Sequence, residues 1–190
     1  MAKADPELRG GNDLSVSPAA ATVYTLAISL PLVAGLLAAY AALSPETSSL
    51  TLRASTIDVL LLMAALVLGI LLHELIHALG WAYFGRLPLR RIRFGFHVRT
   101  MTPYAHAVDS MPARSYRAGS VLPALLLGFL PYLIGTSHGN ITIAFFGTVY
   151  IFAAGGDLLV LWLMRGVDAR ALVQDHPTRV GCILVGTRHD

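Results

Sequence analysis

Two histidines and a glutamate stand at a spacing that suits a metal-dependent hydrolase. His73, Glu74 and His77 form an H-E-x-x-H motif. On a helix, residues four apart share a face, so His73 and His77 can present two imidazoles to one metal ion. Glu74 lies about 100° around the helix, where its carboxylate reaches a water on the metal rather than the metal itself. Zn²⁺ lowers the pKa of such a water toward about 7. The motif therefore predicts hydrolysis with Glu74 as the catalytic acid/base.

The surroundings of this motif argue against a chance match. Soluble helices carry H-E-x-x-H by coincidence, because His and Glu are ordinary surface residues. Here the motif lies inside an apolar run from about Ile57 to Phe84. Two histidines and a glutamate in a hydrocarbon-facing helix are costly and usually mark a site. We therefore interpret the motif as a metal site.

The composition is that of a membrane protein. Of 190 residues, 55% are hydrophobic and 13% charged, and the mean hydropathy is +0.65. Such values favour bilayer-spanning helices over a soluble domain. The single cysteine, Cys182, excludes an intramolecular disulfide and a cysteine-rich zinc cluster. The basic residues stand beside apolar runs, so membrane topology explains the high pI and no nucleic-acid partner is expected.

Four apolar runs are long enough to span a bilayer. The fold class predicted is an all-α polytopic membrane protein with four transmembrane helices and a small cytoplasmic β-hairpin between spans two and three. Pro123 and Pro131 should kink the third span, and Trp81, Tyr83 and Phe84 suit an interfacial aromatic belt. The predicted spans are residues 23–43, 57–84, 118–136 and 141–164, within a membrane domain at 22–164, between a flexible N-terminus at 1–21 and a tail at 165–190.

The segment between spans two and three predicts the hairpin, at about residues 88–112. Apolar and polar residues alternate strictly from Ile92 to Val98, as in a half-buried strand. Thr102 and Pro103 turn the chain, and Tyr104 to Val108 could form the second strand. An exposed edge there could pair with an extended peptide, or the hairpin could merely cap the helices. We expect the tail segment Val180 to Val185 to add a strand to this hairpin.

The distribution of Lys and Arg predicts the orientation. Outside the spans, the N-terminus, the second loop and the tail together carry thirteen, and the first and third loops carry one. The positive-inside rule then places both termini and the hairpin in the cytoplasm. We expect an integral protein of a bacterial cytoplasmic membrane whose partners are the bilayer, a membrane-protein or peptide substrate, and components of a membrane complex.

Span four contains an unexpected acid. Asp157 follows Gly155 and Gly156 and, with Glu74, is one of two carboxylates well inside the spans. Glu74 precedes Arg86 by about 18 Å of helix and Asp157 precedes Arg165 by about 12 Å, so both lie in the cytoplasmic half. Asp157 could be an interfacial acid at a helix end. It could also be a third metal ligand, because two histidines alone do not complete the coordination of a zinc ion. In the second case, Gly155 and Gly156 would let span four press against span two.

The chain resembles the family of small four-span proteins called putative zincin peptidases, once a domain of unknown function, and more distantly the site-2 proteases. The resemblance is carried by the H-E-x-x-H helix, Phe94-Gly95-Phe96, Thr102-Pro103-Tyr104-Ala105, Gly156-Asp157 and Asp175-His176-Pro177. It implies that His73, His77 and Asp157 are zinc ligands and that Glu74 is the catalytic acid/base. The Asp-bearing segment of site-2 proteases reads Leu-Asp-Gly, whereas this chain has Gly-Gly-Asp-Leu.

Two classes of function remain open on the sequence. The first is a zinc-dependent intramembrane metallopeptidase that cleaves a membrane-associated protein near the cytoplasmic face. The second is a non-catalytic membrane subunit or assembly factor with a structural metal site, or a histidine that ligates a tetrapyrrole. Glu74 favours the first, because a ring site needs no buried carboxylate beside its ligand. His97, His106, His138 and His189 are not expected to be ligands, and His176 is expected to stabilise a turn.

Overall fold

The structure, a computed structural model, describes residues 13–44, 55–97 and 102–187. Six α-helices and six short strands follow one another along the chain. The helices are α1 (Pro18–Leu43), α2 (Thr56–Gly85), α3 (Ala113–Pro123), α4 (Leu130–Ser137), α5 (Ile141–Ala153) and α6 (Gly155–Leu163). The strands are β1 (Asp13–Val16), β2 (Ile92–His97), β3 (Thr102–Ala107), β4 (Met111–Pro112), β5 (Ala171–Asp175) and β6 (Val180–Thr187).

Three helical stretches of the described chain are long and apolar enough to cross a membrane. They are Pro18–Leu43, Thr56–Gly85 and Ala113–Ser137, with mean hydropathies of 2.1, 2.6 and 1.7. α5 and α6 form a fourth candidate if the bent pair is taken as one span, and the bend between them is 42°. Leu60, Leu68 and Leu71 of α2 are more than half exposed, as expected for side chains that face lipid. The described chain is thus mostly helical, with three or four candidate membrane spans and small antiparallel sheets.

Local sequence signals start the long helices. Ser17 caps α1 by accepting the Ala20 N–H, and Pro18 occupies the first turn, where its missing N–H is no loss. At α2, Ser55 and Asp58 form a reciprocal capping box. Asn140 caps α5 by accepting the Ile143 N–H at 3.1 Å.

The two prolines of the third span are accommodated by a change of helical pitch. Residues Ala124–Phe129, which separate α3 from α4, are π-helical. The N–H of Leu130 donates to the Leu125 carbonyl, five residues back. The wider turn lies between Pro123 and Pro131, each of which lacks the N–H that an α-helical ladder needs. The predicted irregularity therefore takes the form of a π segment.

The strands form two separate sheets. β2 and β3 pair antiparallel as a hairpin, with Phe94 opposite Ala105. The other sheet has the order β1-β6-β5-β4. The tail does contain the expected strand, but the expectation that this strand pairs with the hairpin is wrong. β6 pairs with β5 and β1 instead. The predicted flexible N-terminus also needs correction: β1 is ordered and paired from Asp13, while residues 1–12 lie outside the described chain.

An ion pair closes the base of the hairpin. Arg91, just before β2, donates from Nε to Oδ2 of Asp109 at 2.6 Å and also pairs through its terminal nitrogen with Oδ1. The hydrogen bonds from Arg91 lower the pKa of the Asp109 carboxyl. Both side chains are solvent-exposed or nearly so, so the pair fixes geometry more than it stabilises the fold.

The core that supports the metal centre lies where the helices meet the four-stranded sheet. Its buried members come from α2, α3, α6 and the strands, and include Trp81, Met111, Tyr116, Met164, Val173 and Cys182. Burial raises the pKa of the Cys182 thiol to about 12. A second, smaller cluster of Tyr40, Tyr132, Ala144 and Ile151 joins α1, α4 and α5 elsewhere in the bundle.

Glycines allow α2 and α3 to approach closely, and they differ from the pair expected. A Cβ on Gly80 of α2 would lie 2.9 Å from the Cα of Gly119 in α3, so these two backbones touch. Gly155 meets Ser29 and Thr25 of α1, and Gly156 has open space around it. The expectation that Gly155 and Gly156 press span four against span two is therefore wrong: Gly155 seats α6 against α1.

Candidate metal centre

The two motif histidines share one face of α2. Both are buried, with 9% of His73 and 4% of His77 exposed. Their Nε2 atoms lie 3.2 Å apart. The helical spacing of four residues is the cause, because it places the two rings on one face on successive turns.

The third member of the centre comes from α6. The bend at Ala154 places Asp157 in the first turn of α6, where the partial positive charge of a helix N-terminus favours a carboxylate. Asp157 Oδ2 lies 3.1 Å from His73 Nε2, and Oδ1 lies 3.1 Å from His77 Nε2. The three-ligand prediction required these groups within about 6 Å of each other, given ordinary metal–ligand lengths. The structure meets that requirement, and within the described chain this is the group of three arranged to hold one ion.

The hydrogen bonds of His77 fix its protonation. Its Nδ1 lies 3.1 Å from the Gly119 carbonyl, which can only accept, so Nδ1 carries the hydrogen. In the neutral ring, Nε2 is then a bare lone pair that faces His73 and Asp157. A backbone carbonyl that orients the far nitrogen is the usual outer contact of a metal-ligating histidine. His73 differs, because its Nδ1 is buried with no hydrogen-bond partner among the described residues.

The mutual spacing of the three groups fits a small divalent cation. Ligands at about 2.0–2.2 Å from a tetrahedral Zn²⁺ stand about 3.3–3.6 Å from one another. The closest atom pairs are separated by 3.1–3.2 Å, and a set with one ligand atom from each residue lies within 4.8 Å. Two imidazoles and a carboxylate are also donors that zinc prefers. The residues present therefore fit the metal that the motif predicts.

Glu74 is held by the hairpin rather than by the histidines. Its Oε2 accepts the backbone N–H of Ala105 in β3 at 2.6 Å. Ala105 is paired in register with Phe94 of β2, yet its N–H points away from β2 toward Glu74. The outer edge of β3 thus faces the carboxylate, which stands one residue from His73 on α2.

Comparison with known families identifies the chain. The family model described as "Putative zincin peptidase" matches residues 66–172, more than half of the chain. The chain belongs to this family. The resemblance to the putative zincin peptidases is confirmed, and the family name suggests a metallopeptidase. The more distant resemblance to the site-2 proteases stays a prediction. No curated protein and no solved structure gave a match.

In this member of the zincin peptidase family, a stack of aromatic rings continues from the metal centre. Trp81 lies parallel to His77 at a ring separation of 5.2 Å and to Tyr116 at 5.5 Å. Its Nε1 donates to the Tyr116 carbonyl at 3.1 Å. The expectation that Trp81 belongs to an interfacial belt is wrong, since it is only 4% exposed, whereas Tyr83 is 79% exposed.

Tyr116, at the end of this stack, belongs to a second polar cluster that was not predicted from the sequence. The Tyr116 hydroxyl donates to Asp175 Oδ1 at 2.8 Å, and Asp175 Oδ2 pairs with His106 Nδ1 at 2.9 Å. This contact joins β5 to β3 at His106, one residue beyond Ala105. His106, which was not expected to be a ligand, is half-buried in this pairing. The presence of Asp175 in the family-like Asp-His-Pro segment was the one signal that could have pointed here.

The remaining histidines are accounted for in part. His176 has the predicted structural role, because its Nδ1 accepts the N–H groups of Thr178 at 3.1 Å and Arg179 at 2.9 Å. His138 bonds the Ile134 carbonyl at a helix end. The side chain of His97 and the whole of His189 lie outside the described part of the chain.

Proposed function

We propose that the protein is a zinc-dependent intramembrane metallopeptidase. One observation carries the proposal: the Nε2 atoms of His73 and His77 and the two oxygens of Asp157 lie 3.1–3.2 Å apart in pairs. A divalent cation between them would bind the imidazole lone pairs and balance the charge of the buried carboxylate. His73, His77 and Asp157 would hold Zn²⁺, which when bound supplies a Lewis acid for a water and for the scissile carbonyl.

The protein's own residues supply the proton transfers. Glu74 takes the proton from the attacking water and later delivers it to the nitrogen of the leaving amine. The Ala105 N–H orients the carboxylate for this work, because it holds one oxygen and leaves the other available. Asp157 balances the charge of the cation, and Gly119 keeps the His77 lone pair directed at it.

The outer edge of β3 is proposed to bind the substrate. A peptide bond inside a helix is shielded, so a substrate must be extended before attack. The β3 edge faces Glu74 and has no further strand paired to it in the described sheets, so it can take up an added strand. Phe94 and Phe96 on the hairpin are more than half exposed, which suits a hairpin that dips into the membrane where a transmembrane substrate lies.

The sheet connectivity supports four spans with both termini on one side. β1 precedes α1, β4 lies between α2 and α3, and β6 follows α6, and all three strands belong to one sheet. Each pair of crossings between these strands must therefore return the chain to the same side. We infer that α5 and α6 form one bent span and, from the arginine distribution, that the sheet is cytoplasmic.

Geometry disfavours the tetrapyrrole alternative. An axial ligand must direct its nitrogen at the open face of a ring, yet the Nε2 atoms of His73 and His77 face each other at 3.2 Å. A structural metal site in a non-catalytic subunit would not need Glu74 poised on a strand edge.

Metal analysis and cleavage together test the proposal. The purified full-length protein should contain about one zinc per chain, and a proteome-derived peptide library incubated with it should gain new termini by mass spectrometry. Glu74→Gln should keep the zinc and yield no new termini. A protein that binds zinc but gives the same peptide products with and without Glu74 is not the peptidase proposed here.

A further inference from the structure

A cavity at the end of α2 is separate from the metal centre. It has a volume of about 610 Å³ and lies between the last turn of α2 and the first turn of α3. Arg86 and Arg114 line it, together with Phe84 and Ser115. The serine hydroxyl is committed, because it donates to the Phe84 carbonyl at 2.8 Å and so joins the two helices.

The charge of this cavity is positive and uncompensated. Neither Arg86 nor Arg114 makes an ion pair with any acid in the described residues, and no acidic side chain lines the cavity there. Other arginines nearby are committed: Arg91 pairs with Asp109, and Arg117 donates to the carbonyls of Met164 and Val167. Two free guanidinium groups in one cavity suit an anion with several oxygens.

The start of α3 strengthens the same preference. α3 begins without any side-chain cap, so the partial positive charge of its N-terminus adds to the arginines. One N–H of that turn is already used, because the backbone N–H of Arg114 donates to the Ala169 carbonyl at 3.0 Å. Arg86 ends α2 in a left-handed conformation with φ of 54°, which glycine and asparagine adopt most readily.

The position of the cavity indicates which kind of anion it binds. The cavity lies beside Tyr83 and Phe84, whose rings are 79% and 44% exposed, at the end of the apolar surface of α2. Exposed aromatic rings at such a helix end mark the headgroup layer. Basic pockets between membrane helices at this depth bind the headgroups of acidic lipids. We propose that Arg86 and Arg114 bind the phosphate of an anionic phospholipid.

Native mass spectrometry of the full-length protein in detergent tests the proposal. Phosphatidylglycerol and phosphatidylcholine with the same acyl chains are titrated separately. The wild type should bind phosphatidylglycerol more tightly, and the double variant Arg86→Asn, Arg114→Gln should lose that preference by about tenfold or more. Asparagine is chosen because it tolerates the left-handed backbone at position 86. The double lysine variant, which keeps both charges, should retain most of the preference.

Control measurements separate this site from general surface charge and from free phosphate. Arg93→Gln removes an exposed arginine outside the cavity and should leave the preference unchanged, and all variants should keep their unfolding temperature and zinc content. Equal loss in Arg93→Gln, or an unchanged preference in the double variant, would overturn the proposal. Displacement of phosphatidylglycerol by millimolar inorganic phosphate would assign the cavity to free phosphate and so overturn the lipid. None of these readouts depends on peptidase activity.

Discussion

In the proposed mechanism, single residues share out charge balance, orientation and proton transfer. His73, His77 and Asp157 form a cluster of electron-pair donors, whereas Glu74 of α2 is hydrogen-bonded to the edge of β3. The separation is useful because a carboxylate bound to the cation could not also act as a base. Each role can therefore be removed by itself.

Replacement of Glu74 by Gln should leave the metal in place and abolish turnover. Gln keeps the size and can still accept the Ala105 N–H, but it cannot take a proton. We expect peptide hydrolysis to fall by at least about 10²–10⁴-fold, with zinc content by elemental analysis unchanged. Full cleavage by Glu74→Gln would exclude Glu74 as the base.

Replacement of Asp157 by Ala should strongly weaken zinc binding. The variant leaves two neutral imidazoles, which neither complete the ligand set nor balance the charge of the ion. Asp168→Ala is the matched control, since Asp168 caps a turn through the Arg170 N–H at 2.7 Å and is not part of the group formed by His73, His77 and Asp157. A competition titration with a zinc chelator should separate the two variants by about tenfold or more. Equal affinities would remove Asp157 from the ligand set.

Much of the centre at this scale could be predicted from sequence, for physical reasons. Helical spacing alone places His73 beside His77, and the cost of a buried acid singles out Asp157. Ala105 could not be predicted, because its contribution is a main-chain N–H and any residue but proline has one. Gly119 and Trp81 were also missed, since a carbonyl acceptor and a stacked ring leave no distinctive trace in one sequence.

The hairpin and the helix contacts determine whether those residues meet. β3 offers its outer edge to Glu74, and β5 holds β3 through Asp175 and His106. The strand β6 was located correctly by its apolar pattern, but its partner was not. A pattern specifies which face of a strand is buried, whereas the partner depends on where distant segments come together.

Loss of the Ala105 N–H should slow catalysis without loss of metal. Ala105→Pro removes that donor, and β3 should tolerate it because Pro103 already occupies the equivalent position two residues earlier, opposite Phe96. A hydrogen bond to a charged group contributes about 1.5–3 kcal/mol, so kcat should fall by about 10–100-fold. Ala105→Ser keeps the N–H and should behave as wild type. An Ala105→Pro protein with wild-type kcat would show that the strand does not orient Glu74.

Neighbouring glycines of α6 should respond very differently to alanine. A methyl group at Gly155 runs into Ser29 and Thr25 of α1, while one at Gly156 meets nothing within 4 Å. Gly155→Ala should cost about 1–3 kcal/mol through overpacking, read as a lower unfolding temperature in detergent. Gly156→Ala should leave that temperature unchanged. The reverse order would mean that α6 rests on a different helix.

On the scale of the whole molecule, one sheet gathers segments from the start, middle and end of the described chain. Cys182 lies at its centre, fully buried, and its pKa of about 12 keeps the thiol protonated at neutral pH. The reactivity of the Cys182 thiol therefore reports whether the sheet is folded.

Cys182 should resist alkylation while the sheet is intact. The thiolate is the reactive form, so a raised pKa and burial both suppress attack. At pH 8, maleimide labelling followed by mass spectrometry should be negligible in the folded protein and complete after denaturation. Because the folded pKa lies above the ordinary value, ionisation favours the unfolded chain, and stability should decline as pH rises from about 9 toward 12. Rapid labelling of the native protein would contradict the described packing.

The pairing of β1 with β6 also has a consequence for the order in which the protein assembles. Asp13 lies opposite Ile183, so under the proposed four-span topology these strands can meet only after the chain between them has crossed the bilayer four times. A chain in which one helix failed to insert would leave β1 and β6 on opposite sides, and β6 would keep an open edge. Under that topology, closure of the sheet depends on correct insertion of the helices. Since β5 belongs to the same sheet and steadies the strand that holds Glu74, a mis-inserted chain would also be an inert one.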